Sequence, residues 1–209
     1  MKNFPIITRK IGLYPIVDST SWIKKLSKFN IKNIQLRIKK KSEFDIEREI
    51  ITAIKISEIK KINLYINDYW KLAIKHKAYG VHLGQEDLKK ANLKLILNSG
   101  IKLGVSTRNE IEFNEAISLR PSYIAIGHIF PTGSKKMECM PQGLKKIKTY
   151  IQKKDTIPIV AIGGITLKRL PLILNFNIDG FSLISAITKS KNWKFSVLEF
   201  LKIIEKYWK

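Results

Sequence analysis

Cysteine is nearly absent from this 209-residue chain. Cys139 stands alone, which excludes a disulfide scaffold and any all-cysteine metal site. Histidine is almost as scarce, and His76, His82 and His128 show no pair at metal-ligand spacing. Acidic residues are few, 17 against 39 Lys and Arg, for a formal charge of +22. No run approaches the roughly 18 apolar residues that a membrane span needs. The N-terminus, MKNFPIITRKIGLYPIVDS, has no long apolar core ending at a small-residue cleavage site, so no signal peptide is expected. No Walker A pattern occurs, and no G-x-S-x-G hydrolase motif surrounds Ser106.

What is present is the composition of a folded chain, with 44% hydrophobic and 27% charged residues. Lysines are spread along the whole length and far outnumber arginines, and Ile and Asn are abundant. That profile reads as a coding bias that fills solvated helix faces. No nucleic-acid partner is expected from it, although the positive field would favour phosphorylated small molecules. With no linker or composition break, residues 1–209 are expected to form one domain. A cytoplasmic location is the default expectation, and a homo-oligomer is compatible with the sequence.

Short β-branched runs alternate with longer amphipathic segments. Strands are predicted at 12–18, 33–39, 63–68, 80–84, 102–106, 123–129, 158–165 and 180–185. Helices are predicted between them, among them 21–30 with Ser21 as N-cap, 43–61, 88–98, 143–154 and a last one over 193–208. Leu170-Pro171 should kink or delay the seventh. Eight βα units in just over 200 residues predict an α/β fold, a single (β/α)8 TIM barrel, with a doubly wound open sheet as the rival.

In such a barrel the chemistry sits at the C-terminal ends of the strands, and polar residues recur there. Gln35, Arg37 and Lys39 alternate along the second strand, so they share a face. Cations pointing into a barrel are costly unless an anion sits opposite, and a diphosphate would serve. Asn67-Asp68 ends the third strand, and Gly84-Gln85-Glu86-Asp87 follows the fourth. Asp68 and Asp87 form the candidate pair for one Mg2+, which typically takes one or two carboxylates. Glu86 competes, and both it and Asp87 could simply favour a helix N-terminus. Ser106 could donate to a phosphate, while Thr107 reads better as a helix cap. The loop Pro131-Thr132-Gly133-Ser134-Lys135 could close over an anion. Gly163-Gly164 after strand seven and Ile184-Ser185 after strand eight match the common phosphate site of barrels. His82 and His76 read as bland, and His128 as able to line the pocket.

The segments GLYPIVDS, IQLRIK, INDYWKLAIKHKAYGVHLGQEDL, LGVST, PSYIAIGHIFPT, PQGL, VAIGGI and SAIT, in that order over roughly residues 11–190, resemble the thiamine-phosphate synthase family. The resemblance implies a transferase of thiamine biosynthesis that joins hydroxymethylpyrimidine diphosphate to hydroxyethylthiazole phosphate, with Mg2+ as cofactor. It implies that Gln35, Leu36, Arg37, Ile38, Lys39 and Asn67, with Ser106 and Lys135, contact the pyrimidine diphosphate. It implies Asp68 and Asp87 as metal ligands, and Thr132, Gly133, Ser134, Gly163, Ile184 and Ser185 as the thiazole-phosphate site. Arg37, Lys135 and Ser106 would carry catalysis. The family loop usually reads Thr-x-Thr-Lys, whereas this chain has Thr132-Gly133-Ser134-Lys135. Two alternatives stay open: a related thiazole tautomerase, which would not need the carboxylates and Lys135, and a barrel without catalysis that binds nucleic acid through its charge.

Overall fold

The structure is a computed structural model that describes residues 3–39, 41–133 and 139–208. Its strands run β1 (Gly12–Val17), β2 (Asn33–Leu36), β3 (Asn63–Asn67), β4 (Gly80–Leu83), β5 (Lys102–Thr107), β6 (Tyr123–Gly127), β7 (Ile159–Ile162) and β8 (Gly180–Leu183). Every neighbouring pair is parallel, and β1 pairs with β8, so the sheet closes into a (β/α)8 barrel. The helices are α1 (Thr20–Leu26), α2 (Glu43–Lys60), α3 (Trp70–Lys75), α4 (Gln85–Lys90), α5 (Leu93–Asn98), α6 (Glu110–Leu119), α7 (Gly143–Lys153), α8 (Leu170–Leu174), α9 (Ser185–Thr188) and α10 (Trp193–Tyr207). None among the described residues is long and apolar enough to cross a membrane.

Strand alternation divides the molecule into two cores. Outward positions such as Leu64, Ile66, Val81, Leu83, Leu103 and Val105 join the helices in one large aliphatic cluster. Helix α2 shows how a helix meets it. Ser42 Oγ accepts from the Asp45 N–H at 3.1 Å, Ile46, Ile50, Ala53 and Ile54 face the barrel, and Lys61 ends the helix in a left-handed turn. Inward positions form a second cluster rich in aromatics, in which Tyr14, Tyr65 and Tyr123 gather with Ile11, Ala125 and Val160. The three rings meet edge to face at centroid separations of 5.2–5.7 Å.

Space for these rings comes from two glycines on the adjacent strands β4 and β5. A Cβ on Gly104 would lie 2.1 Å from the Tyr123 ring, and one on Gly80 would lie 2.7 Å from the Tyr65 ring. Both tyrosines are fully buried, so neither can yield without repacking the floor of the barrel.

Several boundaries differ from the sequence expectations, and four of the differences have a local reason. The N-cap position of α1 is Ser19 rather than Ser21. β2 ends at Leu36, before Arg37, although the Arg37 N–H still bonds to the Val17 carbonyl. The expected helix over 88–98 is two helices: α4 starts directly at Gln85, and Asn92 caps α5 by accepting from the Leu95 N–H. Pro171 sits in the first turn of α8, where its missing N–H costs nothing, so it delays the helix without kinking it.

Gly104→Ala should therefore destabilise the chain by about 3 kcal/mol, at the high end for overpacking a core. Urea unfolding checks this, and a midpoint equal to that of the unsubstituted chain would contradict it.

Candidate active site

A cavity of about 220 Å³ opens at the C-terminal ends of the strands, and residues following all the strands from β2 to β8 contribute to its wall. On the β2–β5 side it is lined by Gln35, Arg37, Asn67, Asp68, His82, Asp87 and Ser106. On the β6–β8 side the wall is Gly127, His128, Thr132, Gly163, Gly164, Ser182, Ile184 and Ser185. One wall is thus rich in charge, and the other offers glycine turns and hydroxyls.

Asp68 follows β3 in a left-handed conformation, φ 66°, and its carboxylate accepts from Asn67 Nδ2 at 2.5 Å. Asp87 enters from the first turn of α4, because that helix begins immediately after β4. The two carboxyl groups lie close enough to interact electrostatically. Burial, and next the Asp87 charge, push the Asp68 carboxyl up to about 6, against the opposing pull of Arg37 and the Asn67 amide. A carboxyl pushed toward its neutral form beside a second carboxylate, on the wall of this cavity, suits a hard divalent cation that needs only one or two protein carboxylates. Among the described residues no group of three or more His, Cys, Asp or Glu gathers as a metal cage. Any ion here would complete its shell with water and ligand oxygens.

Arg37 acts on both neighbours: it favours the charged form of Asp68 and disfavours a charged His82. Burial, assisted by Arg37, holds His82 down to about 3, so the imidazole is neutral. His82 Nε2 lies 2.7 Å from Ser106 Oγ, and its Nδ1 lies 2.6 Å from Tyr123 Oη.

The β6–β8 wall is built by close backbone approach. Gly163 and Gly164 have φ of 96° and 65°, and a Cβ on Gly163 would meet His128 at 2.3 Å. Gln142 donates to the Gly127 and Thr107 carbonyls at 2.8 and 3.3 Å, and its Oε1 accepts from Tyr150 Oη, which ties α7 to the rim. Ser182 Oγ and His128 Nδ1 are buried without a hydrogen-bond partner among the described residues, so the wall carries polar atoms that a ligand can satisfy.

Of the residues expected from sequence, Gln35, Arg37, Asn67, Asp68, Asp87, Ser106, Thr132, Gly163, Ile184 and Ser185 line this one cavity. Leu36 and Ile38 turn away from it into the outer aliphatic core, so only their backbone can face a ligand. Lys39 is exposed, and neither it nor Gly133 is part of the cavity wall. Ser134 and Lys135 lie outside the described residues.

Several wall residues escaped the sequence reading. His82 is the main one: in Gly80-Val81-His82-Leu83, the outward Val81 and Leu83 fix the parity that turns His82 inward. Gln85, which donates to the Ser106 carbonyl at 2.6 Å, and Arg108, held by Glu112 at 3.0 Å, also belong to the wall. Ser182 had the same inward parity in its strand.

The raised Asp68 carboxyl has a consequence for stability. The folded chain binds that proton more tightly than the unfolded chain, whose aspartates titrate near 4. Stability should therefore fall as pH rises from about 4 to about 6. In metal-free buffer with a chelator, Asp68→Asn should melt above the unsubstituted chain at pH 7.5, and the two should converge at pH 4. Thermal melts across this range check it, and a difference in Tm that is the same at both pH values would contradict it.

The profile of the family described as "Thiamine monophosphate synthase" matches residues 7–187. The thiamine-phosphate synthase of Proteus mirabilis is 50% identical over 94% of this chain and 92% of its own length. That of Salmonella paratyphi B is 46% identical over 96% and 95%. Among solved structures, thiamine phosphate pyrophosphorylase from Pyrococcus furiosus superposes with a TM-score of 0.84 at 24% identity, covering 95% of this chain and 98% of that one, which speaks to the fold. With its profile match and its near full-length relatives, the chain belongs to the thiamine monophosphate synthase family.

Proposed function

We propose that this chain is a thiamine-phosphate synthase that joins hydroxymethylpyrimidine diphosphate to hydroxyethylthiazole phosphate and releases diphosphate. The observation that carries this reading is the meeting of Asp68, Asp87 and Arg37 on one wall of a cavity whose opposite wall holds the Gly163-Gly164 turn and Ser185. Such a cavity suits two phosphorylated substrates placed side by side. Family membership and the two near full-length synthases support the same reading. A biosynthetic role of this kind fits a cytoplasmic enzyme.

The chemistry is an alkyl transfer. The bond between the pyrimidine methylene and the diphosphate oxygen breaks, and its electron pair leaves with diphosphate. The thiazole nitrogen then supplies the pair for the new C–N bond. The electron-rich pyrimidine can carry the positive charge, so the route is dissociative and needs no protein nucleophile or general base. Arg37 binds the departing diphosphate and stabilises its growing charge, and Lys135 is proposed to do so too. Asp68 and Asp87 would hold Mg2+, which when bound supplies further neutralisation of diphosphate. Gln35 and Asn67 orient the pyrimidine half, with Ser106 donating to it. Thr132, Gly163, Ile184 and Ser185 seat the thiazole phosphate, and Gly133 and Ser134 are proposed to join them. The walls must also exclude water, since a pyrimidine cation would otherwise hydrolyse.

Incubating the chain with both substrates should yield thiamine phosphate in the presence of Mg2+ and little in its absence. No product under either condition would overturn the reading. Arg37→Ala should lower kcat by about 100-fold or more, because the charge it meets develops in the transition state. A change confined to the KM for the thiazole would contradict its placement. Asp68→Asn should cut turnover and raise the Mg2+ concentration needed, and unchanged turnover at limiting Mg2+ would refute the metal assignment.

A further inference from the structure

Below the cavity, five side chains from five strands join in one hydrogen-bonded series. Gln35 Nε2 donates to Tyr14 Oη at 3.2 Å, Tyr14 Oη lies 2.8 Å from Tyr123 Oη, Tyr123 Oη lies 2.6 Å from His82 Nδ1, and His82 Nε2 lies 2.7 Å from Ser106 Oγ. Gln35, Tyr14, Tyr123 and His82 are each at most 5% exposed. Burial leaves each group few other partners, so the direction of each bond depends on its neighbours.

The amide nitrogen of Gln35 can only donate. Tyr14 Oη accepts that bond, and its one other neighbour in the series is Tyr123 Oη, so the Tyr14 hydrogen goes to Tyr123. Tyr123 already accepts on its oxygen and passes its own hydrogen to His82 Nδ1. A neutral imidazole that accepts at Nδ1 carries its hydrogen on Nε2, and that N–H donates to Ser106 Oγ. The serine oxygen is then engaged as an acceptor. Its hydroxyl hydrogen has no acceptor within the series and turns toward the cavity that Ser106 lines.

We propose that Tyr14, Tyr123 and His82 are positioning residues whose one-way relay makes Ser106 a fixed donor into the active site, aimed at an anionic oxygen of the substrate. The catalytic part of this proposal rests on the synthase reading; the direction of the relay does not. A hydroxyl free to rotate would have to be reoriented as charge develops, whereas one held by His82 is already aligned. The glycine sockets fit this role, since Gly104 gives the Tyr123 ring the room that brings its oxygen to His82.

The direction is tested by 15N NMR of the free chain with labelled histidine, the His82 signals being assigned with His76→Asn and His128→Asn variants. The expected spectrum shows a neutral His82 with the proton on Nε2 across pH 6–8. A proton on Nδ1 would mean that Ser106 donates to His82, and would overturn the proposal. The second arm uses Tyr123→Phe, which keeps the ring in its socket and removes the donor to Nδ1. In the two-substrate assay its kcat should fall about tenfold, with the KM for each substrate within about twofold. An unchanged kcat would overturn the catalytic part, even with the expected tautomer in the unsubstituted chain. Absence of synthase activity in the unsubstituted chain would sink the synthase reading instead, while the NMR result would still decide the direction of the relay.

Discussion

Asp68 and Asp87 repel each other across a half-buried gap, and the mouth of the barrel is arranged around that repulsion. Left alone, Asp68 keeps a proton that a solvated aspartate would lose by about pH 4. Arg37 and the Asn67 amide offset part of the cost, but burial and the facing carboxylate outweigh them. A site that is strained without a cation is one that a cation would relieve. This links the fold to function, because the pair exists only where the turn after β3 and the first turn of α4 converge.

The barrel interior below supports that arrangement in an unusual way. Aliphatic residues pack between strands and helices, while the interior carries tyrosines, glutamine and histidine in a hydrogen-bonded layer. Glycines on β4 and β5 admit the rings that a larger residue would exclude. The floor is therefore rigid and polar at once: packed rings hold its shape, and its donors and acceptors are aligned before any substrate arrives. On the other side, Gly163 and Gly164 let the loop after β6 lie against the strand ends.

Much of this was legible in the sequence, for physical reasons. Eight βα units announce a barrel, and a barrel says where to look; Asp68, Asp87, Arg37 and Ser106 follow from polar residues at strand ends. Leu36 and Ile38 are contacts only through the resemblance, and parity turns their side chains outward. The sequence predicts one helix over 88–98 because an apolar pattern continues across Ala91-Asn92, where the chain instead caps and restarts. His82 reads as bland in the sequence because an isolated histidine in a short strand carries no spacing signal. Its meaning comes from Tyr123 and Ser106, 41 and 24 residues away. Long-range pairing of that kind is set by barrel register, which local sequence does not encode.

The central claim is that Asp68, Asp87 and Arg37 together make a binding site for a metal-complexed diphosphate. Calorimetric titration of diphosphate into the free chain tests it most directly, with and without Mg2+. The account predicts saturable one-site binding in Mg2+ that is lost on chelation and in Asp68→Asn. Binding of equal strength with and without the metal, or in Asp68→Asn as in the unsubstituted chain, would contradict it.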